Sequence, residues 1–140
     1  MKVLIIHGPN MNLLGLYSKN RMTLGKLNQA IRRHIKNTDL EAKIYQTHDE
    51  KKFISLLHTN RNKVDAFILN IGPWHPTAHL IKETLNILKV PYLIVEHDTK
   101  NIEGHRDLLK NSIFDSKDII KKETINDAYT EGLEKIRGML

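Results

Sequence analysis

Val3-Leu4-Ile5-Ile6-His7-Gly8-Pro9-Asn10-Met11-Asn12-Leu13-Leu14-Gly15 begins with four apolar residues in a row and then breaks into glycine, proline and asparagine. A strand with one face in water alternates apolar and polar residues. A run that is apolar at every position is covered on both faces, as in a parallel sheet between two layers of helices. Ala66-Phe67-Ile68-Leu69 and Tyr92-Leu93-Ile94-Val95 read the same way, the second restarted by Pro91. Residues 42–46 alternate like an outer strand, and Asp118-Ile119-Ile120 is a short edge.

Segments of helical period lie between these runs. From Thr23, a plausible N-cap, the residues Leu24, Leu27, Ile31 and Ile35 form one stripe. Asp49 and Glu50 open a helix carrying Phe53, Ile54, Leu56 and Leu57, with acidic residues at the positive end of its dipole. Residues 77–88 and 103–111 read as two more helices, and Thr124 caps a last one with the stripe Ile125, Tyr129, Leu133 and Ile136. Alternating strands and helices imply an α/β, flavodoxin-like three-layer sandwich with a five-stranded parallel sheet. Right-handed crossovers set its order as 2-1-3-4-5, with the chain reversing between strands 1 and 3. No linker or repeat divides residues 1–140, so one domain is expected.

With 140 residues, a single core is feasible without covalent staples; the chain has no cysteine and hence neither a disulfide nor a thiolate metal site. The opening apolar run is too short for a signal peptide and no stretch reaches membrane-span length, which makes the cytoplasm the expected location and a membrane an unexpected partner. A net charge of +6 suits an anionic partner. The basic residues are not interleaved with aromatics, so a base-stacking platform for nucleic acid is not expected and a small anionic substrate is.

Polar residues gather where ligands bind in such sheets, after the strands. They are His7 to Asn12 after strand 1, Gln46-Thr47-His48 after strand 2, Asn70 to Thr77 after strand 3, and Glu96-His97-Asp98-Thr99 after strand 4. Taken singly, Gly8-Pro9-Asn10 is ordinary turn chemistry and Thr77 an ordinary cap; their convergence is what marks a site. His75 and His79 have the i,i+4 spacing of metal ligands, but no Glu-Xaa-Xaa-His frame accompanies them, and neither a metal nor another cofactor is expected. Phosphate-binding glycine loops and a Gly-Xaa-Ser-Xaa-Gly elbow are absent.

Gly8-Pro9-Asn10-Met11-Asn12-Leu13-Leu14-Gly15 resembles the Gly-Pro-Asn-Leu-Asn-Leu-Leu-Gly opening of the type II 3-dehydroquinate dehydratases. Gln46 to Glu50, Leu69 to Gly72, Pro91 to Thr99 and the surroundings of Tyr129 are similar to further motifs of that family. The resemblance implies dehydration of 3-dehydroquinate to 3-dehydroshikimate in the shikimate pathway through an enolate, by a homo-oligomer that in the family is a dodecamer of trimers. It implies that Asn10 places an enolate-stabilising water, that Asn70 and His97 bind the ring, and that Thr99 and Arg106 meet the carboxylate. The catalytic loop departs from the family. It is about three residues shorter, Lys19 stands where the tyrosine base belongs, Pro76 where the acid belongs, and Val95 where that acid's supporting glutamate belongs. The substitutes at hand are Tyr17 as base with Arg21 lowering its pKa, His75 as acid, and Glu96 as carboxylate. An enzyme for another small polar carboxylate and a non-catalytic binding relative are the alternatives on the same scaffold.

Overall fold

The structure is a computed structural model that describes residues 1–97 and 102–140. Strands β1 (Lys2–His7), β2 (Glu41–Gln46), β3 (Ala66–Leu69), β4 (Tyr92–His97) and β5 (Ile119–Lys122) pair in parallel in the order β2-β1-β3-β4-β5. The continuously apolar runs are the three inner strands, and the alternating segment is an edge, as the burial argument required.

The sheet's two faces carry separate cores. Val3, Ile5, Ala66, Ile68 and Val95 point to the side of α2 (Leu24–Ile35) and α6 (Ile125–Met139). Leu4, Ile6, Phe67, Leu69 and Ile94 point to the side of α3 (Glu50–Asn60) and α4 (His79–Leu88). Each of these side chains larger than alanine contributes roughly 1.5–3 kcal/mol on burial. Helix α6 comes close to β4 at Gly132, where a Cβ would stand 3.1 Å from Val95 Cγ1. Thr23, Asp49 and Thr124 cap α2, α3 and α6 with their side chains, which accept from Lys26, Lys51 and Asp127 N–H.

Two of the boundaries that differ from the sequence reading bear on the site. Helix α4 starts at His79 rather than 77, because Thr77 is used in a turn: its N–H donates to Trp74 O (2.9 Å) and its carbonyl accepts from His79 N–H (2.8 Å). Strand β4 runs two residues further, to His97, because β5 continues beside it, pairing Glu96 with Lys121 and His97 with Lys122. That extension carries an acidic side chain and an imidazole into the buried end of the sheet.

Candidate active site

Three strand ends build the site. After β1, a Cβ at Gly8 would overlap the carbonyl oxygen of Asn70, so only glycine lets the two central strands end this close together. Asn10 follows in the left-handed region (φ 67°), which asparagine tolerates, and turns the chain into a 3-10 turn (Met11–Leu13) and the short α1 (Leu14–Tyr17). Buried Met11 and Leu14 anchor this excursion. It brings Tyr17 back over the site, where its hydroxyl donates to Asn10 O (3.2 Å) and its ring stacks on His97 (5.8 Å between centroids, 18°).

After β3, Asn70 is 2% exposed and donates from Nδ2 to Val95 O (3.0 Å) and Glu96 Oε2 (3.3 Å). Gly72, with φ 49°, donates its N–H to Glu96 Oε1 (3.1 Å). The same oxygen accepts from His75 Nε2 (2.8 Å), whose Nδ1 meets Ser112 Oγ (2.7 Å). Burial alone would push the Glu96 carboxyl up, but the hydrogen bond from His75 and the positive potential of His75, His105 and His97 outweigh it, so Glu96 sits below the usual carboxylate range.

After β4, the short α5 (His105–Lys110) supplies His105 and Leu108. Together with Pro9, Asn10, Met11, Tyr17, Asn70, Gly72, Pro73, Glu96, His97 and Ile102 they line a partly open cavity at the carboxyl ends of β1, β3 and β4. Asn10, Tyr17, Asn70 and His97 are thus brought together at the reversal of strand order, as expected of such sheets.

Other expectations are corrected. Arg21 does not serve Tyr17: it is exposed, at φ 52°, and lines a separate groove with Leu13, Leu16, Thr23 and Lys26. Accordingly the Tyr17 hydroxyl is not made acidic. Burial and the negative charge of Glu96 push it up to about 12. His75 is fully buried and does not line the cavity; Glu96 stands between, because the turn at Gly72–Trp74 rolls the imidazole under the carboxylate. Arg106 is exposed on α5 and is not among the lining residues. Thr99 lies outside the described residues. Lys19 forms an ion pair with Glu123 just before α6. Sequence reasoning missed His105; its one signal was an imidazole opening the helix that follows a central strand.

A flavodoxin-like sheet with amide, phenol, carboxylate and imidazole groups around one cavity at its switch point defines a small-molecule site of the kind enzymes of this architecture use. The dehydroquinase class II family matches residues 1–133, and the chain belongs to that family. The 3-dehydroquinate dehydratase of Thermoanaerobacter pseudethanolicus is 34% identical over 119 residues, covering 83% of this chain and 79% of the relative. That of Caldanaerobacter subterraneus subsp. tengcongensis is 32% identical over 115 residues, covering 80% and 76%. A crystal structure of the type II dehydroquinase from Butyrivibrio crossotus superposes with a TM-score of 0.83 at 20% identity, over 98% of this chain and 97% of that one, which shows the shared fold.

Proposed function

We propose that this chain dehydrates 3-dehydroquinate to 3-dehydroshikimate, a step of the shikimate pathway, and that its proton-transfer groups are His97 and His105. The observation that carries the reading is the cavity in which these imidazoles, Tyr17, Asn10 and Asn70 converge in a chain of this family. The reaction removes a proton from the carbon beside the ketone, leaves an enolate, and expels the hydroxyl as water when an acid protonates it. A group that gains and loses a proton near neutral pH suits both steps, and imidazole is the side chain with that property. Tyr17, raised to about 12, keeps its proton and serves as a hydrogen-bond donor to the enolate oxygen, with Asn10 beside it. Glu96, already accepting from three protein donors and held ionised, is a weak base and stays a fixed charge.

Among the described residues no helix is long and apolar enough to cross a membrane. A cytoplasmic homo-oligomer, the family's dodecamer of trimers, goes with this reading, and sizing the purified chain by light scattering tests it.

The test of function is to follow the enone absorbance of the product when purified protein meets 3-dehydroquinate. Turnover is expected, and its absence with folded protein overturns the reading. His97→Ala and His105→Ala each lower kcat by about 10²–10⁴-fold, and Tyr17→Phe by less. If Tyr17→Phe abolishes turnover as His97→Ala does, the phenol is the base after all.

A further inference from the structure

The floor of the cavity, built by Pro9, Asn70, Gly72, Pro73 and Glu96, has an unusual hydrogen-bond inventory. Pro9 and Pro73 have no N–H. The Gly72 N–H is taken by Glu96 Oε1 (3.1 Å), and the Asn70 N–H by Ile6 O (3.0 Å). Both hydrogens of Asn70 Nδ2 are used, one on Val95 O (3.0 Å) and one on Glu96 Oε2 (3.3 Å). What is left is acceptors. Glu96 Oε1 has both lone-pair directions filled by Gly72 and His75, whereas among the described residues Oε2 receives the long bond from Asn70 alone. With its Nδ2 committed, Asn70 can offer the cavity only Oδ1. The bare Gly72 keeps this corner open: a Cβ there would stand 3.6 Å from Pro9 O and 3.9 Å from Asn70 Oδ1.

We propose that Glu96 Oε2, Asn70 Oδ1 and Pro9 O form an acceptor-only floor that takes the hydroxyls of a polyhydroxylated ring acid and turns its carboxylate away. A hydroxyl can donate to each of these oxygens, and a bond to the carboxylate is charge-assisted and about twice as strong as a neutral one. Among the described residues of this floor, an anionic group meets a like charge and no free N–H or O–H. Glu96 is therefore a specificity residue: it sets which end of the ligand enters first. His75 is its positioning residue, reaching the ligand only through the carboxylate that it holds. The proposal draws on the dehydratase reading for the ligand's class alone, since the donor count holds whatever the reaction.

The test uses fragments and the full chain labelled with ¹⁵N, following the Gly72 amide and the Asn70 side-chain amide by NMR. The three probes share a ring: cis-1,2-cyclohexanediol, cyclohexanecarboxylate and cyclohexylammonium. The diol is expected to shift both signals in a saturable way, while the carboxylate leaves them in place. Glu96→Gln keeps an oxygen for Gly72 and His75 but turns an amide N–H₂ toward Asn70 and the cavity, and should weaken the diol at least about tenfold. The ammonium, three donors with a positive charge, is expected to move them too. The proposal is overturned if the diol moves neither signal, if the ammonium moves neither, or if the carboxylate moves them as much. Diol affinity that is the same in folded Glu96→Gln also overturns it. Failure to turn over 3-dehydroquinate sinks the dehydratase reading and leaves this result standing, so the two failures are told apart.

Discussion

His7, at the end of β1, and His75, just beyond β3, are both buried to 0% exposure, yet they are opposite solutions to the same problem. His7 lies among neutral groups. Tyr129 donates its hydroxyl to Nδ1 (2.7 Å), and Nε2 donates to Asn28 Oδ1 (2.8 Å). Burial disfavours its charged form, and the pKa falls to about 4 although the Asn28 bond opposes the shift. His75 instead donates from Nε2 to the buried Glu96, and its Nδ1 meets Ser112 Oγ, which also accepts the Phe114 N–H (3.2 Å). The first arrangement removes charge from the interior and seals the sheet end; the second maintains charge there and presents it to a cavity. An imidazole's burial therefore says little about its use, and the partner decides.

The strongest way to break this contrast is to take away the partner that carries the charge. Glu96→Leu leaves His75 Nε2–H, Gly72 N–H and one Asn70 N–H without their acceptor at the buried end of the sheet. It should cost about 3–5 kcal/mol in urea unfolding. A loss under about 1 kcal/mol would mean that the carboxylate is not held as described.

The next test separates the two imidazoles by pH. His7 takes a proton at about 6.5 when unfolded and only at about 4 when folded. The unfolded chain binds the proton first, so this contribution to stability is complete above pH 6.5 and is lost as pH falls toward 4. The linkage amounts to something on the order of 3 kcal/mol. Glu96, lowered on folding, adds a loss that starts only below its unfolded value of 4.5. Stability measured against pH should therefore fall in two stages, and His7→Gln should flatten the upper one alone. An unchanged upper slope in that variant would place the titration elsewhere. A smaller effect follows from the same network: Tyr129→Phe strands His7 Nδ1 and should cost about 1–2 kcal/mol, much of it recovered in a background already lacking His7.

The two regions also differed in how far the sequence betrayed them. Strands, order and the reversal between β1 and β3 could be read because burial on both faces writes a continuous apolar run, a local signal. Asn10, Tyr17, Asn70 and His97 could be placed at one end for the same reason: each follows a recognisable strand or lies in the loop after it. The fate of His75 could not be read. Its partner is 21 residues away in sequence, and whether the ring enters the cavity or slides beneath Glu96 depends on the turn that Gly72 makes at positive φ. Arg21 escaped for a related reason. Two consecutive left-handed residues, Asn20 and Arg21, redirect its side chain to another groove, and neither conformation is written in residue type.

The smallest expected effect is at the outer end of the charged cluster, and it asks whether that cluster is held from the cavity side or from the outside. Ser112 is only half-buried and meets His75 Nδ1 at 2.7 Å, on the far side of the ring from Glu96. If the carboxylate's three donors define the cluster, Ser112→Ala removes one neutral hydrogen bond that water can replace at this partly open position. The cost is then about 1 kcal/mol, and the Gly72 amide responds to the diol as it does with Ser112 in place. If instead Ser112 fixes which nitrogen of His75 carries the hydrogen, its loss lets the ring present a bare Nε2 to Glu96, two acceptors face each other, and the carboxylate moves. The variant would then lose several kcal/mol, as Glu96→Leu does, and its Gly72 amide would shift before any ligand is added. The first outcome leaves Glu96 as the organising group and His75 as its support; the second moves that role outward to a half-buried serine, the place that half-buried Asn28 takes beside His7.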